Sequence, residues 1–297
     1  MKLSIHYTPK MVANANSYSP SAGKPAQVMD SWADLGLPLE IVVPSPVSVD
    51  QFALAHDRVF VEGVLSRRIN NGFCNTLASV AASLPYTSGV MLSAARAALG
   101  NRCGAIAPCS GFHHAGYDFA GGYCTFNGLM VTAAVLLTEE KVRKIGILDC
   151  DQHWGNGTQD IIDRLRLHDR LVHYSPCRTY GRPGRAEAFL AMLPQLLTAF
   201  ADCDLVLYQA GADPHINDPL GGWLTTEQLY RRDVRVFDGL REMCIPVAWN
   251  LAGGYQRDDA GTIRPVLTIH DNTVRAFAEI WGVEAIRHAN CDSALCA

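Results

Sequence analysis

Short apolar segments alternate with longer stretches of helical character along this chain, and this alternation limits the folds that it can adopt. Four segments, at residues 104–107, 145–148, 205–208 and 246–249, are almost entirely apolar. Strands buried on both faces of a parallel sheet have this composition, whereas strands with one wet face alternate apolar and polar residues. The pattern predicts an α/β fold with an open, mainly parallel sheet flanked by helices, in three layers.

The stretches around these strands have the composition or the apolar spacing of helices. Residues 186–200 show the helical spacing most clearly. Pro194 lies inside this run and is expected to kink the helix or to divide it in two, because proline lacks an amide hydrogen. The full set of predicted helices is residues 89–99, 129–137, 158–165, 186–200 and 226–241.

Length and composition favour one large domain over residues 1–297. Of the 297 residues, 48% are hydrophobic and 18% are charged, so the chain can bury a sizeable core. No apolar run approaches the ~20 residues of a membrane-spanning helix, and the polar start is unlike a signal peptide. The ten cysteines form no Cys-x-x-Cys pair, which favours reduced thiols in a cytoplasmic protein.

The charge balance excludes one class of partner. The net charge is −4 at pH 7 and no basic block occurs, whereas proteins that track nucleic-acid phosphates are usually basic. We therefore expect neither a nucleic acid nor a membrane as partner. The sequence leaves open whether the chain forms a homo-oligomer.

Chemically reactive side chains follow all four predicted strands. In an open parallel sheet, ligands bind outside the carboxyl ends of the strands, so these side chains are expected to meet at one edge. In chain order, the strands are followed by His113 and His114, by Asp149, Asp151 and His153, by Asp213, and by Tyr255.

The Asp149-x-Asp151-x-His153 pattern suits a metal ion, because alternate residues of an extended chain point to one side. Two carboxylates and one imidazole, with a position left for water, fit catalytic zinc and also ferrous iron. We predict Asp151, His153 and Asp213 as the ligands. Taken alone, the pattern fits a turn capped by Asp before a helix equally well.

His113 and His114 are candidates for proton transfer, since hydrolysis needs a base for the water and an acid for the leaving group. Asp149 can accept a hydrogen bond from one imidazole and fix its tautomer. Tyr255 follows two glycines, which let the backbone approach a ligand, and its hydroxyl can stabilise an oxyanion. Structural or surface roles are expected for His6, His56, His168, His270 and His288.

Residues 113–127 (HHAGYDFAGGYCTFN) and 147–160 (ILDCDQHWGNGTQD) resemble the zinc-dependent histone deacetylase family. Within that family the chain is most similar to the bacterial acetylpolyamine amidohydrolases and the class II deacetylases. Residues 211–213 and 253–255 match the later motifs of the family in order. The resemblance spans nearly the whole chain, is most specific between residues 108 and 160, and implies the open α/β fold of the arginase and deacetylase group.

The resemblance also implies roles for individual residues. Asp151, His153 and Asp213 would bind zinc, and His114 would act as general base and then acid. His113 would be its electrostatic partner, held by Asp149.

By the same resemblance, Asn156 would support His114, and Tyr255 would polarise the scissile carbonyl. Tyr123 would line the tunnel for the acylated amine, with Gly122 nearby. A potassium ion would lie near Asp149.

The chain departs from the family in four places. Trp154 stands where most members have a second histidine, and Lys24 replaces an arginine of the internal channel. Residues 175–185 form a shorter loop, which should widen the pocket rim and weaken the potassium site. Residues 83–85 include no carboxylate where eukaryotic enzymes have an aspartate that binds peptide backbone.

These observations predict a zinc amidohydrolase that removes a short acyl group from a small cationic amine such as an acetylpolyamine. A protein lysine deacetylase is the first alternative, and an inactive metal-binding sensor is the second. A two-manganese ureohydrolase is disfavoured, because residues 213–218 lack the required Asp-x-Asp pair.

Overall fold

The computed structural model describes residues 2–282, in which seven strands form one sheet. The strand order is β2-β1-β3-β7-β6-β4-β5, and every neighbouring pair is parallel. The strands are β1 (Leu3–His6), β2 (Leu39–Val42), β3 (Gly104–Ser110), β4 (Ile145–Asp149), β5 (Leu171–Tyr174), β6 (Leu205–Gln209) and β7 (Val247–Ala252).

Ten α-helices connect or flank the strands of the described residues, with 3-10 helices at Pro9–Met11 and Thr198–Phe200. The α-helices are α1 (Lys24–Ala33), α2 (Val49–Phe52), α3 (Arg58–Leu65), α4 (Ala78–Asn101), α5 (Gly128–Thr138), α6 (Asn156–Leu165), α7 (Cys177–Tyr180), α8 (Ala186–Leu197), α9 (Thr226–Glu242) and α10 (Arg264–Trp281).

Two hydrophobic cores lie on opposite faces of the sheet, which gives the predicted three layers. Successive residues of a strand point to opposite faces, and in β3 Ala105 and Ala107 join one core while Ile106 joins the other. Helices α3, α4, α5 and α6 pack in the first core, and α1, α8, α9 and α10 pack in the second. The predicted α/β fold is therefore confirmed, and the described sheet is entirely parallel.

Each predicted helix coincides with an observed one, with one difference at Pro194. Helix α8 is not divided there, and a 3-10 turn at Thr198–Phe200 follows its end. Pro194 cannot donate to the carbonyl of Leu190, four residues before it. The guanidinium of Arg235 on α9 donates to that carbonyl instead, which compensates for the missing helical bond.

The strands that carry the predicted site are neighbours at the centre of the sheet. They lie in the order β3, β7, β6 and β4, although they are far apart in the chain. The pairing of β3 with β7 shifts register between Ala107 and Ser110, just before the two histidines. Such irregularities often redirect side chains next to a site.

Of the histidines expected to be structural or on the surface, His6, His56 and His270 are buried and His168 is exposed; His288 lies outside the described residues. No helix among residues 2–282 is long and apolar enough to cross a membrane. The assignment of residues 1–297 to a single domain stays a prediction.

Candidate active site

Asp151, His153 and Asp213 bring their ligand atoms within 4.8 Å of one another at the carboxyl ends of β4 and β6. The Nδ1 atom of His153 lies 3.2 Å from Oδ1 of Asp151 and 3.2 Å from Oδ2 of Asp213. Both carboxylates are buried. Backbone amides hold their other oxygens, since Gly253 N donates to Asp151 Oδ2 at 2.8 Å and Gln152 N donates to Asp213 Oδ1 at 3.1 Å.

The electrostatics of these three residues fit a divalent cation. Burial and the neighbouring Asp151 carboxylate raise the pKa of Asp213 to about 8. Hydrogen bonds to the two carboxylates raise the pKa of His153 to about 10. A cation bound among these atoms would replace the protons and remove the repulsion between the carboxylates. Two oxygens and one imidazole suit zinc or ferrous iron, so the residues present fit the predicted metal.

Gly253 lets the two carboxylates come this close to the backbone. A Cβ atom at this position would lie 2.4 Å from Oδ2 of Asp213 and 2.7 Å from Oδ2 of Asp151. Gly254 follows with a φ of 148°, which residues with side chains rarely adopt. The two glycines before Tyr255 are therefore a requirement of the geometry.

His113 is a buried imidazole surrounded by carboxylates. Its Nδ1 donates to Oδ2 of Asp149 at 2.7 Å, and its Nε2 lies 3.5 Å from Oδ1 of Asp151. Burial alone would lower the pKa of His113, but the charges of Asp149 and Asp151 outweigh it and raise the pKa to about 9. His113 is thus held in its charged form, with Asp149 as its partner.

His114 is half-buried and has a neutral partner. Its Nδ1 lies 2.6 Å from Oδ1 of Asn156, which is exposed at the start of α6. An amide oxygen only accepts, so Nδ1 carries the hydrogen and Nε2 keeps its lone pair. Burial and the charge of His113, whose ring centre is 4.1 Å away, lower the pKa of His114. The neutral imidazole can therefore accept a proton.

Tyr255 lies opposite these residues, at the end of β7, and is only 7% exposed. Its backbone N–H donates to Oδ2 of Asp218 at 2.8 Å, which fixes the turn that carries it. Burial and the carboxylates of Asp213 and Asp151 raise its pKa. The phenol stays protonated at neutral pH and can donate a hydrogen bond to an oxyanion.

Gly122 and Tyr123 form a wall beside His114 and Tyr255. The rings of Tyr123 and Tyr255 are 5.8 Å apart. Gly122 has a φ of 52°, and a Cβ atom there would lie 2.3 Å from the His114 ring, so only glycine fits. The structure thus brings together all ten predicted site residues, and their individual roles stay predictions.

Two of the residues that depart from the family pattern, Trp154 and Lys24, are well packed. Trp154 stacks on His173 at 4.8 Å, with the guanidinium of Arg178 4.6 Å above it. Lys24 is fully buried, and its Nζ donates to the carbonyl of Ala252 at 2.6 Å. Burial lowers the pKa of Lys24 to about 8, although nearby carboxylates oppose this shift.

The other two departures from the family are at residues 175–185 and 83–85. Residues 175–185 form the short helix α7 and a turn. Residues 83–85 lie inside α4, and Ser83 is buried, so this is not a rim position that could bind peptide backbone. The rim beside Tyr123 is instead formed by residues 66–77, where Gly72 accepts from Tyr123 N at 3.1 Å. That loop also carries no carboxylate. The predicted potassium ion near Asp149 stays a prediction.

Three supporting residues were not identified from the sequence. Gln209 Nε2 donates to Oδ1 of Asp149 at 2.7 Å, and Nε2 of His173 lies 3.9 Å from Oδ2 of Asp149. Arg232 is fully buried, and its Nη1 donates to the carbonyls of Cys150 and Gly211, at 3.2 and 2.8 Å. A cation on the apolar face of α9 was the signal that could have revealed Arg232.

Comparisons with known proteins agree with this geometry. A family model described as a histone deacetylase domain matches residues 21–176 and 178–268. Histone deacetylase 2 of Arabidopsis thaliana is 28% identical over 174 residues, which are 52% of this chain and 44% of the relative. The acetylpolyamine amidohydrolase of Mycoplana ramosa is 57% identical over 69 residues, which are 23% of this chain and 20% of the relative.

A solved structure shows the same fold. The HDA15 HD domain superimposes with a TM-score of 0.72 at 19% identity, over 96% of this chain and 94% of that one. The matches to the first plant relatives cover only 44%, 34% and 31% of their lengths. This chain therefore spans less than half of those proteins.

Proposed function

The chain belongs to the histone deacetylase family, and on this premise we propose that it is a zinc-dependent amidohydrolase. It removes an acetyl or another short acyl group from the nitrogen of a primary amine. The observation that carries the proposal is the contrast between His113 on the Asp149 carboxylate and His114 on the Asn156 amide, beside the Asp151, His153 and Asp213 cluster.

Each side chain has a task in this reaction. Asp151, His153 and Asp213 would hold the zinc, which when bound supplies Lewis acidity toward the carbonyl and lowers the pKa of water toward ~7. His114 accepts the proton of the attacking water at Nε2, because Asn156 occupies Nδ1. It then delivers this proton to the departing amine.

The remaining groups stabilise charge. Tyr255 donates a hydrogen bond to the oxyanion that develops from the carbonyl oxygen. His113 stays charged against Asp149, so its positive charge lies next to the developing negative charge and keeps the pKa of His114 low. Tyr123 and Gly122 orient the acylated amine beside His114.

A small cationic amine is the substrate that we favour. The rim loop at residues 66–77 offers no carboxylate to hold a peptide backbone, and a relative with a highly similar segment is named an acetylpolyamine amidohydrolase. The first plant relatives are named histone deacetylases, so an acetylated protein is the competing substrate.

The test measures acetate released from acetylputrescine, acetylspermidine and an acetyl-lysine peptide. Each assay uses zinc-loaded protein and the same protein stripped with a chelator. We expect zinc-dependent turnover of the polyamines and little turnover of the peptide. Turnover of the peptide alone would reverse the choice of substrate, and no turnover with zinc bound stoichiometrically would favour a sensor.

A further inference from the structure

Two glycines precede Tyr255, so the backbone there does not hold the tyrosine in place by itself. Gly253 and Gly254 adopt a wider range of conformations than residues with a side chain. Beyond Tyr255, the chain is exposed at residue 257 and at residues 259–261. The position of the Tyr255 hydroxyl therefore depends on contacts with other parts of the protein.

The contacts of Gly253 hold only the beginning of this turn. The Gly253 N–H donates to Oδ2 of Asp151 at 2.8 Å, and the Gly253 carbonyl accepts from the N–H of Ala212 at 2.9 Å. Gly254 still separates these contacts from Tyr255. They therefore do not fix the peptide group that carries the Tyr255 side chain.

Asp218 supplies a contact at Tyr255 itself. It lies five residues after Asp213, in the connection between β6 and α9, and its side chain is buried. Oδ2 of Asp218 accepts from the N–H of Tyr255 at 2.8 Å, and Oδ1 accepts from the N–H of Leu220 at 3.0 Å. Both oxygens of this buried carboxyl group therefore bind backbone N–H groups, one in each of two loops.

The loop that carries Asp218 is closed by its own backbone. The Pro214 carbonyl accepts from the N–H groups of Trp223 and Leu224, at 2.7 and 2.8 Å. These bonds join the two ends of the loop and restrict the movement of Asp218 between them. Because Asp213 directly precedes this loop, Asp218 ties the tyrosine turn to the segment that carries a predicted metal ligand.

We propose that Asp218 is a positioning residue, which holds the Tyr255 hydroxyl where it can donate to the oxyanion. This inference rests on the proposed amide hydrolysis. Tyr255 would act on charge that develops in the transition state, so its displacement should lower kcat and leave KM nearly unchanged. Loss of one oxyanion donor costs about 10²–10³-fold in kcat, and displacement of the donor should cost part of that factor, about tenfold or more.

The experiment is a double-mutant cycle on the zinc-loaded full chain with acetylputrescine. Asp218→Asn leaves one acceptor oxygen for two N–H groups and should lower kcat about tenfold or more, with KM nearly unchanged. Tyr255→Phe removes the hydroxyl, so adding Asp218→Asn to it should lower kcat further by less than about threefold. If the two losses multiply in full, Asp218 acts independently of Tyr255 and the inference is overturned.

Fluorine NMR measures the position of Tyr255 without relying on activity. In protein labelled with 3-fluorotyrosine, the signal that is missing from Tyr255→Phe belongs to Tyr255. Asp218→Asn should shift or broaden this signal while the zinc content per chain stays unchanged. An unchanged signal would overturn the inference, and so would loss of zinc, because Asp218 would then support the metal ligands.

Asp258→Asn is the matched control. Oδ1 of Asp258 also accepts from a backbone N–H, that of Thr262 at 2.8 Å, in the loop that follows Tyr255. This variant should change kcat less than about twofold and leave the Tyr255 signal in place. A loss as large as that of Asp218→Asn would overturn the inference alone, whereas an unmodified chain that releases no acetate would overturn the proposed function with it.

Discussion

The two sides of the active site hold adjacent histidines in opposite ways. On the inner side, His113 is buried against the carboxylate of Asp149, and its pKa is raised to about 9. On the outer side, His114 is half-buried against the neutral amide of Asn156, and its pKa is lowered. In the proposed mechanism, this difference assigns electrostatic stabilisation to His113 and proton transfer to His114, although both groups are the same side chain.

The largest effect is expected on the outer side. His114→Ala removes the proposed general base and acid, and groups of this kind contribute typically about 10²–10⁴-fold. We expect kcat with acetylputrescine to fall by about that factor while the zinc content per chain stays unchanged. Loss of zinc from the variant would show that His114 holds the metal site together, which contradicts its role as proton carrier.

The next prediction concerns Arg232, which supports the two loops that carry the metal ligands. Arg232 pairs with Asp233 at 2.9 Å, and both side chains are about 1% exposed. Arg232→Met leaves that carboxylate buried without its ion partner, so the free energy of unfolding should fall by about 3–5 kcal/mol. The zinc affinity should fall as well, because Arg232 bridges the backbones that carry Asp151 and Asp213.

Chemical denaturation with and without zinc measures both effects. The matched control is Arg231→Met on the same helix, where the arginine pairs with Glu187 at the surface. Exposed ion pairs contribute about 0–1 kcal/mol, so this variant should unfold almost as the unmodified chain does. Equal losses in the two variants would mean that burial of the Arg232 pair is not what stabilises the metal-binding loops.

A smaller effect is expected when His114 is given a carboxylate partner like that of His113. Asn156→Asp places a carboxylate against His114 and should raise its pKa by about 1 or more, because an opposite charge favours imidazolium. The reaction needs neutral His114, whose fraction decreases as the pH falls through its pKa. The acid limb of the kcat/KM profile should therefore move to higher pH.

A pH profile of zinc-loaded protein with acetylputrescine tests this shift, and Asn156→Ser serves as the uncharged control. If the acid limb stays in place with aspartate at position 156, the titrating group is not His114. In that case the distinction between the two histidines does not control the reaction.

The smallest effect is expected at Trp154. Its ring packs on His173 and under Arg178, and it supplies none of the clustered ligand atoms. Trp154→His restores the residue typical of the family and should change kcat/KM less than about threefold, below the 10–100-fold expected for a group that orients a metal ligand. A loss within that larger range would show that the stack helps to position Asp149 through His173.

The central strands were predictable from sequence because both of their faces are buried, which leaves continuous apolar segments. Strands β2 and β5 were not predicted, since each has only four residues and lies at a sheet edge, where β2 is mostly exposed and β5 is mostly half-buried. Their residues pair because the neighbouring strands are in place, and the local pattern carries little of that information.

The site residues likewise divide into those that the local sequence pattern reveals and those that depend on contacts made in the folded protein. Residues such as His113, Asp151 and Asp213 were predicted because each lies within four residues of the end of a strand, and parallel strands end at one edge. Gln209, His173 and Arg232 act through contacts that only the packed sheet and α9 create. The absence of an acidic residue at 83–85 was read from sequence position alone, which does not reveal that Ser83 is buried inside a helix.

The strand order also determines how the site forms during folding. Strands β3, β7, β6 and β4 lie side by side but come from distant parts of the chain. Sheets with such long-range pairing fold slowly, because many loops must close before the contacts form. The three predicted metal ligands need only the neighbouring strands β4 and β6, whereas His113, His114 and Tyr255 need β3 and β7, so the site is complete only when all four strands have paired. Pairing of β4 with β6 alone brings the ligand atoms together without the groups proposed for proton transfer.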